Sequence, residues 1–106
     1  MVIRQFDVYL TSLDPAVGVE MRKTRPCLVV SPDLMHRFVD TVIIAPLTSA
    51  QANYPTRVPC HFAGKVGQVA LDHLHAVDRV RLIKRLGRFD GPTSVAVLEA
   101  LQRLFE

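Results

Sequence analysis

Short apolar runs, many of them β-branched and separated by polar breaks, recur along the whole chain. Segments in which apolar and polar side chains alternate, or in which a few apolar residues stand together, are typical of β-strands. Proline cannot donate a ladder hydrogen bond, so Pro59 indicates an edge or bulge position within its run. The pattern predicts strands over 6–10, 27–30, 41–47, 57–62, 67–74 and 83–89.

Two helices and one helical turn are predicted between and after these runs. Ser31-Pro32 is typical of a helix start, with serine as the cap, and predicts a short helix that ends near Phe38. One further helical turn is predicted over 78–82. Asp90-Gly91-Pro92 starts the last element, which is an amphipathic helix because apolar residues recur there at helical spacing. The apolar face of this C-terminal helix is predicted to consist of Val95, Leu98, Leu101 and Phe105.

The predicted fold class is mainly β with α. Five to six short strands in 106 residues favour a small, strongly curved sheet or barrel, with one short internal helix and the C-terminal helix covering an open side. The length accommodates a single domain over residues 1–106. A long polar loop over 13–24 interrupts the early strands, and long loops in small domains often carry function.

Charge and cysteine content narrow the class of partner and the compartment. The net charge of +3 favours a polyanionic partner. Arg22, Lys23 and Arg25 form one basic cluster that is a candidate for phosphate contact, and a second cluster over 79–88 is interpreted as a solvated face. Cys27 and Cys60 lie in apolar strand-like runs, which favours buried free thiols. The apolar runs are far shorter than a membrane span, and a reduced, cytoplasmic setting is predicted.

Candidate chemistry is concentrated in Lys23-Thr24-Arg25-Pro26 and Ala45-Pro46-Leu47-Thr48-Ser49. Arginine offers a planar, permanently charged fork for phosphate oxygens, and hydroxyl groups add neutral donors. If the two runs are neighbouring strands, Arg25 and Thr48 converge on one phosphate, as a metal-free ribonuclease requires. Taken singly, Arg25 is better explained by a surface ion pair, and Thr48 by capping of a turn.

The order of motifs along the chain resembles that of MazF/PemK-type toxins. The similarity runs in sequence order over nearly the whole chain. It rests on Tyr9-Leu-Thr-Ser-Leu-Asp-Pro15, Val17-Gly-Val-Glu20, the two candidate runs above, Tyr54-Pro-Thr-Arg-Val58, Leu71-Asp-His73, Ala76-Val-Asp-Arg-Val-Arg-Leu82 and Leu86-Gly-Arg88.

The resemblance implies an SH3-like barrel, usually a homodimer, that cuts single-stranded RNA without a metal or other cofactor. It also implies a cognate antitoxin whose acidic tail occupies the RNA groove. Arg25 and Thr48 would be the catalytic pair, with Glu20 the first candidate for general base and Asp72 the second. The hypothesis is that the RNA 2′-hydroxyl attacks its own phosphate and leaves 2′,3′-cyclic phosphate and 5′-hydroxyl ends. Substrate-binding candidates are Lys23, Thr24, Ser49, Asp72 and His73.

Two departures from the family pattern keep alternatives open. Some members carry a histidine at the Val19 position and an arginine at the Ala70 position, and neither residue here can do that work. The alternatives are a non-enzymatic toxin of the same fold that binds gyrase, and an RNA-binding module without catalysis. A structural arginine partner is the other role for Asp72, and a dimer interface is the other role for His73.

Histidines and a cysteine raise the question of a zinc site. His73 and His75 would share one face of a strand, with His61 and Cys60 as further ligands. No paired ligand spacing accompanies them, so the sequence predicts no metal site.

Overall fold

The computed structural model describes residues 2–106, and they form an antiparallel sheet and one α-helix. Most predicted strands are present, with boundaries shifted by a few residues. The strands are β1 Asp7–Ser12, β2 Thr24–Val29, β3 Thr41–Thr48, β4 Arg57–Phe62, β5 Lys65–Ala70, β6 His75–Asp78 and β7 Leu82–Arg88, and the helix is α1 Gly91–Leu104.

The sheet curls so that its two edge strands approach each other. Its order is β4-β5-β3-β2-β1-β7, and β6 pairs separately with β3. Pro59 lies on the edge strand β4, as predicted. A Cβ atom built on Gly87 of β7 would lie 3.0 Å from the Phe62 ring of β4, so the two edges nearly touch. The result is a half-barrel, which confirms the expected mainly β class with one C-terminal helix.

Two apolar cores lie on opposite faces of the sheet. Successive strand residues point to opposite faces, so Leu28 packs in the first core while Cys27 and Val29 pack in the second. Residues of α1 complete the first core. Both Cys27 and Cys60 are buried free thiols, as predicted.

Helix α1 begins where the sequence predicted but buries a different face. The Asp90 side chain accepts a hydrogen bond of 2.7 Å from the Thr93 amide and caps the first turn. The buried residues are Ser94, Val97 and Ala100. The predicted apolar face was wrong at Val95, Leu98 and Phe105, which are 53%, 44% and 74% exposed, whereas the fourth predicted residue, Leu101, is partly buried and packs against the first core. Small side chains face the sheet because they let the helix pack closely against β4.

The structure corrects the predictions for the internal helix and for the strand over 67–74. The helix predicted to begin at Ser31 is only a 3₁₀ turn over Met35–Arg37. The Ser31 hydroxyl does not cap it, since that oxygen lies 2.6 Å from His36 Nε2 and accepts a bond from the Ile43 amide. The strand predicted over 67–74 ends at Ala70, and a 3₁₀ turn over Leu71–His73 separates β5 from β6. The helical turn predicted near 78–82 is present as Arg79–Arg81.

Candidate functional site

Arg25 and Thr48 line one cavity. Strands β2 and β3 are antiparallel neighbours, with Cys27 opposite Pro46, and this register brings Arg25 level with Thr48. The cavity, called here the Arg25–Thr48 cavity, has a volume of about 390 Å³. Its other lining residues are Pro26, Leu47, Ser49, Cys60, Phe62, Ala63, Lys65, Val66, Gly67 and Leu86. The two candidate runs are therefore neighbouring strands, and Ser49 joins them at the same site.

The Arg25 guanidinium has no acidic partner among residues 2–106. Its Nε donates only a long hydrogen bond, 3.4 Å, to the Arg22 carbonyl oxygen. Within residues 2–106, the ion pairs involve other side chains. The surface ion pair that would explain Arg25 structurally is therefore not formed, and the cation is available to an anionic ligand.

Thr48 has a structural role that leaves its hydroxyl proton available. Its Oγ1 accepts a hydrogen bond of 3.1 Å from the Ala50 amide, so the turn-capping role considered from the sequence is present. The hydroxyl can still donate to a ligand, because a threonine oxygen both donates and accepts. Thr48 is 8% exposed, and the backbone of Gly67 closely approaches its carbonyl group. A Cβ atom at Gly67 would lie 2.7 Å from the Thr48 carbonyl oxygen.

Lys65 is a second cation of this cavity that the sequence interpretation missed. It begins β5 directly after the turn at Ala63-Gly64, and its side chain is exposed. Only the pairing of β5 with β3 brings it near Thr48, so no local pattern marks it as functional. The cavity lining includes two cations and a thiol but no carboxylate and no histidine. Burial raises the pKa of that thiol, Cys60, above its ordinary value.

Glu20, Asp72 and His73 line a different cavity, of about 590 Å³. We call it the Glu20–Asp72 cavity. Pro46 lines it while the next residue, Leu47, lines the Arg25–Thr48 cavity, so the two cavities reach β3 at consecutive residues. Glu20 is exposed, and its Oε1 accepts a bond of 2.6 Å from the Val17 amide within the loop. The structure therefore does not bring the base candidates into the Arg25–Thr48 cavity.

Asp72 is held by an arginine. Arg57 Nε and the Arg57 terminal nitrogen donate to its two carboxylate oxygens at 2.8 and 3.2 Å. Partial burial acts to raise the pKa of Asp72, but the hydrogen bonds and charge of Arg57 outweigh it and lower that pKa. The structural alternative for Asp72 is thus present. Arg57 of β4 lies opposite Ala70 of β5. The arginine that binds Asp72 therefore comes from β4, the neighbouring strand, rather than from position 70.

The histidines do not form the arrangement considered for zinc. His73 ends a 3₁₀ turn and His75 begins β6, so the premise that both lie on one strand was wrong. His73 Nε2 lies 3.7 Å from the Asp72 carboxylate, and His75 Nδ1 donates to the His73 carbonyl oxygen at 2.8 Å. Over residues 2–106, no three histidine, cysteine or acidic side chains gather closely enough to hold a metal ion.

Lys23 and Thr24 lie outside both cavities. Lys23 adopts a positive φ of 64°, and its amide donates to Asp14 Oδ1 at 2.9 Å. Thr24 begins β2 opposite Ser12. Both side chains are exposed. The two residues immediately precede Arg25 in the sequence but do not line the Arg25–Thr48 cavity.

Part of the second basic cluster has intramolecular partners. The buried carboxylate of Asp7 lies 3.1 Å from Arg88 and 3.4 Å from Arg85. Arg81 donates to the Asp14 carbonyl oxygen at 2.6 Å and so ties the long loop to the 3₁₀ turn between β6 and β7. These arginines are not a merely solvated face, since three of them hold β1 and the loop in place.

Comparison with known proteins identifies similar chains. The model of the family described as PemK-like, MazF-like toxin of type II toxin–antitoxin system matches residues 4–105. Endoribonuclease EndoA of Bacillus subtilis is 33% identical over 96% of this chain and 93% of its own. Crystalline MazF of Deinococcus radiodurans superposes with a TM-score of 0.85 at 26% identity, covering 99% of this chain and 97% of its own. A MazE–MazF complex from the same organism gives a TM-score of 0.81 at 26% identity, covering 99% and 96%.

Proposed function

The chain belongs to the PemK-like, MazF-like toxins of type II toxin–antitoxin systems, and from that premise we propose that it cleaves single-stranded RNA. The similar protein from Bacillus subtilis is named an endoribonuclease. That name favours an enzyme over the gyrase-binding alternative of the same fold. The observation that carries the proposal is the shared cavity, in which the unpaired Arg25 cation lies level with the Thr48 hydroxyl.

The proposed reaction is an internal phosphoryl transfer without a metal ion. The 2′-hydroxyl oxygen forms a bond to the adjacent phosphorus while the bond to the 5′-oxygen breaks. The products are a 2′,3′-cyclic phosphate and a 5′-hydroxyl. Arg25 stabilises the charge that develops on the non-bridging oxygens, and the hydroxyls of Thr48 and Ser49 donate to the same oxygens.

Proton transfer in this reaction needs an acceptor and a donor. Guanidinium groups keep their protons, whereas an ammonium can release one, so Lys65 is the better donor to the leaving oxygen. Glu20 remains the candidate acceptor, although it lies in the Glu20–Asp72 cavity. Its role requires the 13–23 loop to move toward Arg25 when RNA spans both cavities. Asp72 is less suited to accept the proton, because Arg57 lowers its pKa.

The remaining binding residues follow the same RNA path. Lys23 and Thr24 are proposed to contact the RNA backbone where it enters beside Arg25. Asp72 and His73 are proposed to contact a base in the Glu20–Asp72 cavity, where the His73 imidazole can stack on it.

The proposed partners are a cognate antitoxin and a second copy of the chain. The superposed Deinococcus structure contains MazE together with MazF, which supports an antitoxin partner here. A homodimer is supported by the exposed apolar side chains of Val95, Leu98 and Phe105. We place the protein, as one domain over 1–106, in the cytoplasm. Between residues 2 and 106, no helix is long and apolar enough to cross a membrane.

The test is digestion of a long single-stranded RNA in EDTA, followed by analysis of the product ends. The proposal expects discrete fragments with cyclic-phosphate and 5′-hydroxyl ends. Arg25→Ala should lower the cleavage rate by roughly 100-fold or more, because it removes the charge that stabilises the transition state. Arg103→Ala, an exposed change in the last turn of α1, is the matched control and should cleave normally. Intact RNA, with binding retained, would instead support an RNA-binding module without catalysis.

A further inference from the structure

Gln68 clamps the backbone of a segment that follows the catalytic strand. The glutamine lies on β5 and is only 7% exposed. Its Oε1 accepts a hydrogen bond of 3.1 Å from the Ala52 amide, and its Nε2 donates one of 3.0 Å to the Ala52 carbonyl oxygen. Ala52 belongs to residues 49–56, which connect β3 to β4 without regular structure. The buried Gln68 side chain thus supplies two backbone hydrogen bonds to a segment that has no strand partner.

The clamp lies beside the proposed reaction site. Gln68 is the strand partner of Thr48 in the β3–β5 ladder. The clamped residue, Ala52, comes shortly after Ser49, whose hydroxyl is proposed to bind the same phosphate. Gly67, next to Gln68, packs against the Thr48 carbonyl. Strand β5 therefore contacts the chain on both sides of Ser49: Gly67 contacts Thr48, and Gln68 binds Ala52.

The clamp requires a neutral amide. Among side chains of this length in their usual charge state at neutral pH, only an amide both accepts from one backbone group and donates to the other. A carboxylate cannot donate to the Ala52 carbonyl oxygen, and an apolar side chain can do neither. Leaving such buried groups unpaired carries a large free-energy penalty, so the segment would move rather than stay in place without its partner.

We propose that Gln68 is a positioning residue that holds segment 49–56 in the conformation that receives RNA. It thereby sets both the cleavage rate and the choice of cleavage sequence. Gln68 acts through Ala52 and Ser49, since its own side chain is buried and lines neither cavity. This inference rests on the proposed function.

The experiment compares Gln68→Glu and Gln68→Met with wild type and with Gln102→Glu, an exposed control on α1. Cleavage is measured well below the thermal midpoint of each protein, with kcat and KM on one RNA and the cleavage sites across a mixed RNA pool. Both Gln68 variants should lose roughly 10- to 100-fold in kcat and cut at additional sequences, because two buried hydrogen bonds are lost or opposed. The control should match wild type.

Proton rescue separates positioning from a general loss of stability. When the carboxyl introduced by Gln68→Glu is protonated, it again donates to one Ala52 group and accepts from the other. The activity of that variant relative to wild type should rise as the pH falls from about 8 to about 5.5, since burial favours the neutral acid. The strand partners on either side, Thr48 and Pro59, carry no titratable group that would interfere. Gln68→Met should show no recovery.

Unchanged kcat and unchanged cleavage sites in both Gln68 variants would overturn the inference while leaving the ribonuclease proposal intact. If wild type itself cuts no RNA, the proposed function fails and takes this inference with it. Amide hydrogen exchange in wild type tests the clamp even if a variant does not fold. The Ala52 amide should exchange more slowly than the Asn53 amide, and equal rates would also overturn the inference.

Discussion

Replacement of Gly67 by alanine tests whether the position of Thr48 depends on a close backbone contact. The added Cβ atom would lie 2.7 Å from the Thr48 carbonyl oxygen, where ordinary contacts begin at 3.4 Å. The two strands must therefore separate by about 0.7 Å, the difference between these distances. The Thr48 carbonyl oxygen is a backbone atom, and the new Cβ atom is bonded directly to the backbone of residue 67. No flexible side chain can therefore absorb the shift. The change moves Thr48 and its hydroxyl within the Arg25–Thr48 cavity.

The expected result is a large loss of activity with a smaller loss of stability. A displacement approaching 1 Å at a positioning group costs up to about 100-fold in rate, so kcat for RNA cleavage should fall by roughly 10- to 100-fold. Overpacking of this kind costs about 1–3 kcal/mol in the free energy of unfolding. The rate is measured on a defined RNA at saturating concentration, and the stability by thermal and urea unfolding.

Gly91→Ala is the matched control, because a Cβ atom there meets nothing within 4 Å. It should leave both cleavage and unfolding close to wild type. If Gly67→Ala unfolds and cleaves like wild type, the contact with Thr48 does not constrain the site and our reasoning about it is refuted.

Two further predictions concern ionisable groups that do not line the Arg25–Thr48 cavity. Asp72→Asn should lower the free energy of unfolding by about 0.5–1 kcal/mol at pH 7, as measured by urea unfolding. Arg57 lowers the pKa of Asp72 in the folded protein below the ordinary value of 3.8. The difference between the two proteins should therefore be present above pH 3.8 and disappear as the pH falls through the pKa of Asp72 in the folded protein. An equal difference at pH 7 and pH 2 would contradict it. Burial raises the pKa of Cys27 to about 12, so a thiol reagent at pH 8 should label it only after denaturation, as read by peptide mass spectrometry; labelling of the folded protein would disprove this.

Strand positions were predictable because local pattern controls them. The β-branched run at 41–47 and the alternation at 57–62 each match an observed strand. The cap at Asp90 likewise marks the start of α1, because capping is a contact between near neighbours in sequence. The same periodicity could not identify the buried face of that helix. Val95 and Val97 are both apolar residues of α1. Only the packing of the helix against β4 determines that Val97 is buried and Val95 exposed.

Residue types suited to phosphate binding were evident from the sequence, which gave the pairing of the Arg25 and Thr48 strands as a condition that the structure then met. Both depend on adjacent motifs and on the default pairing of successive strands. The placement of Glu20 was not evident, since a loop residue takes its position from the elements around the loop rather than from its neighbours in sequence. The structure assigns it to the Glu20–Asp72 cavity.

The sequence by itself determined the family, the strand-rich fold and the chemical character of the site, because these follow from local patterns and residue types. Tertiary structure alone decided that Lys65 faces Thr48's cavity, that Arg57 holds Asp72 and that Gln68 clamps Ala52. Each of these contacts joins residues from separate strands or loops. Their geometry depends on how the sheet curls, and that curvature results from the packing of the whole chain.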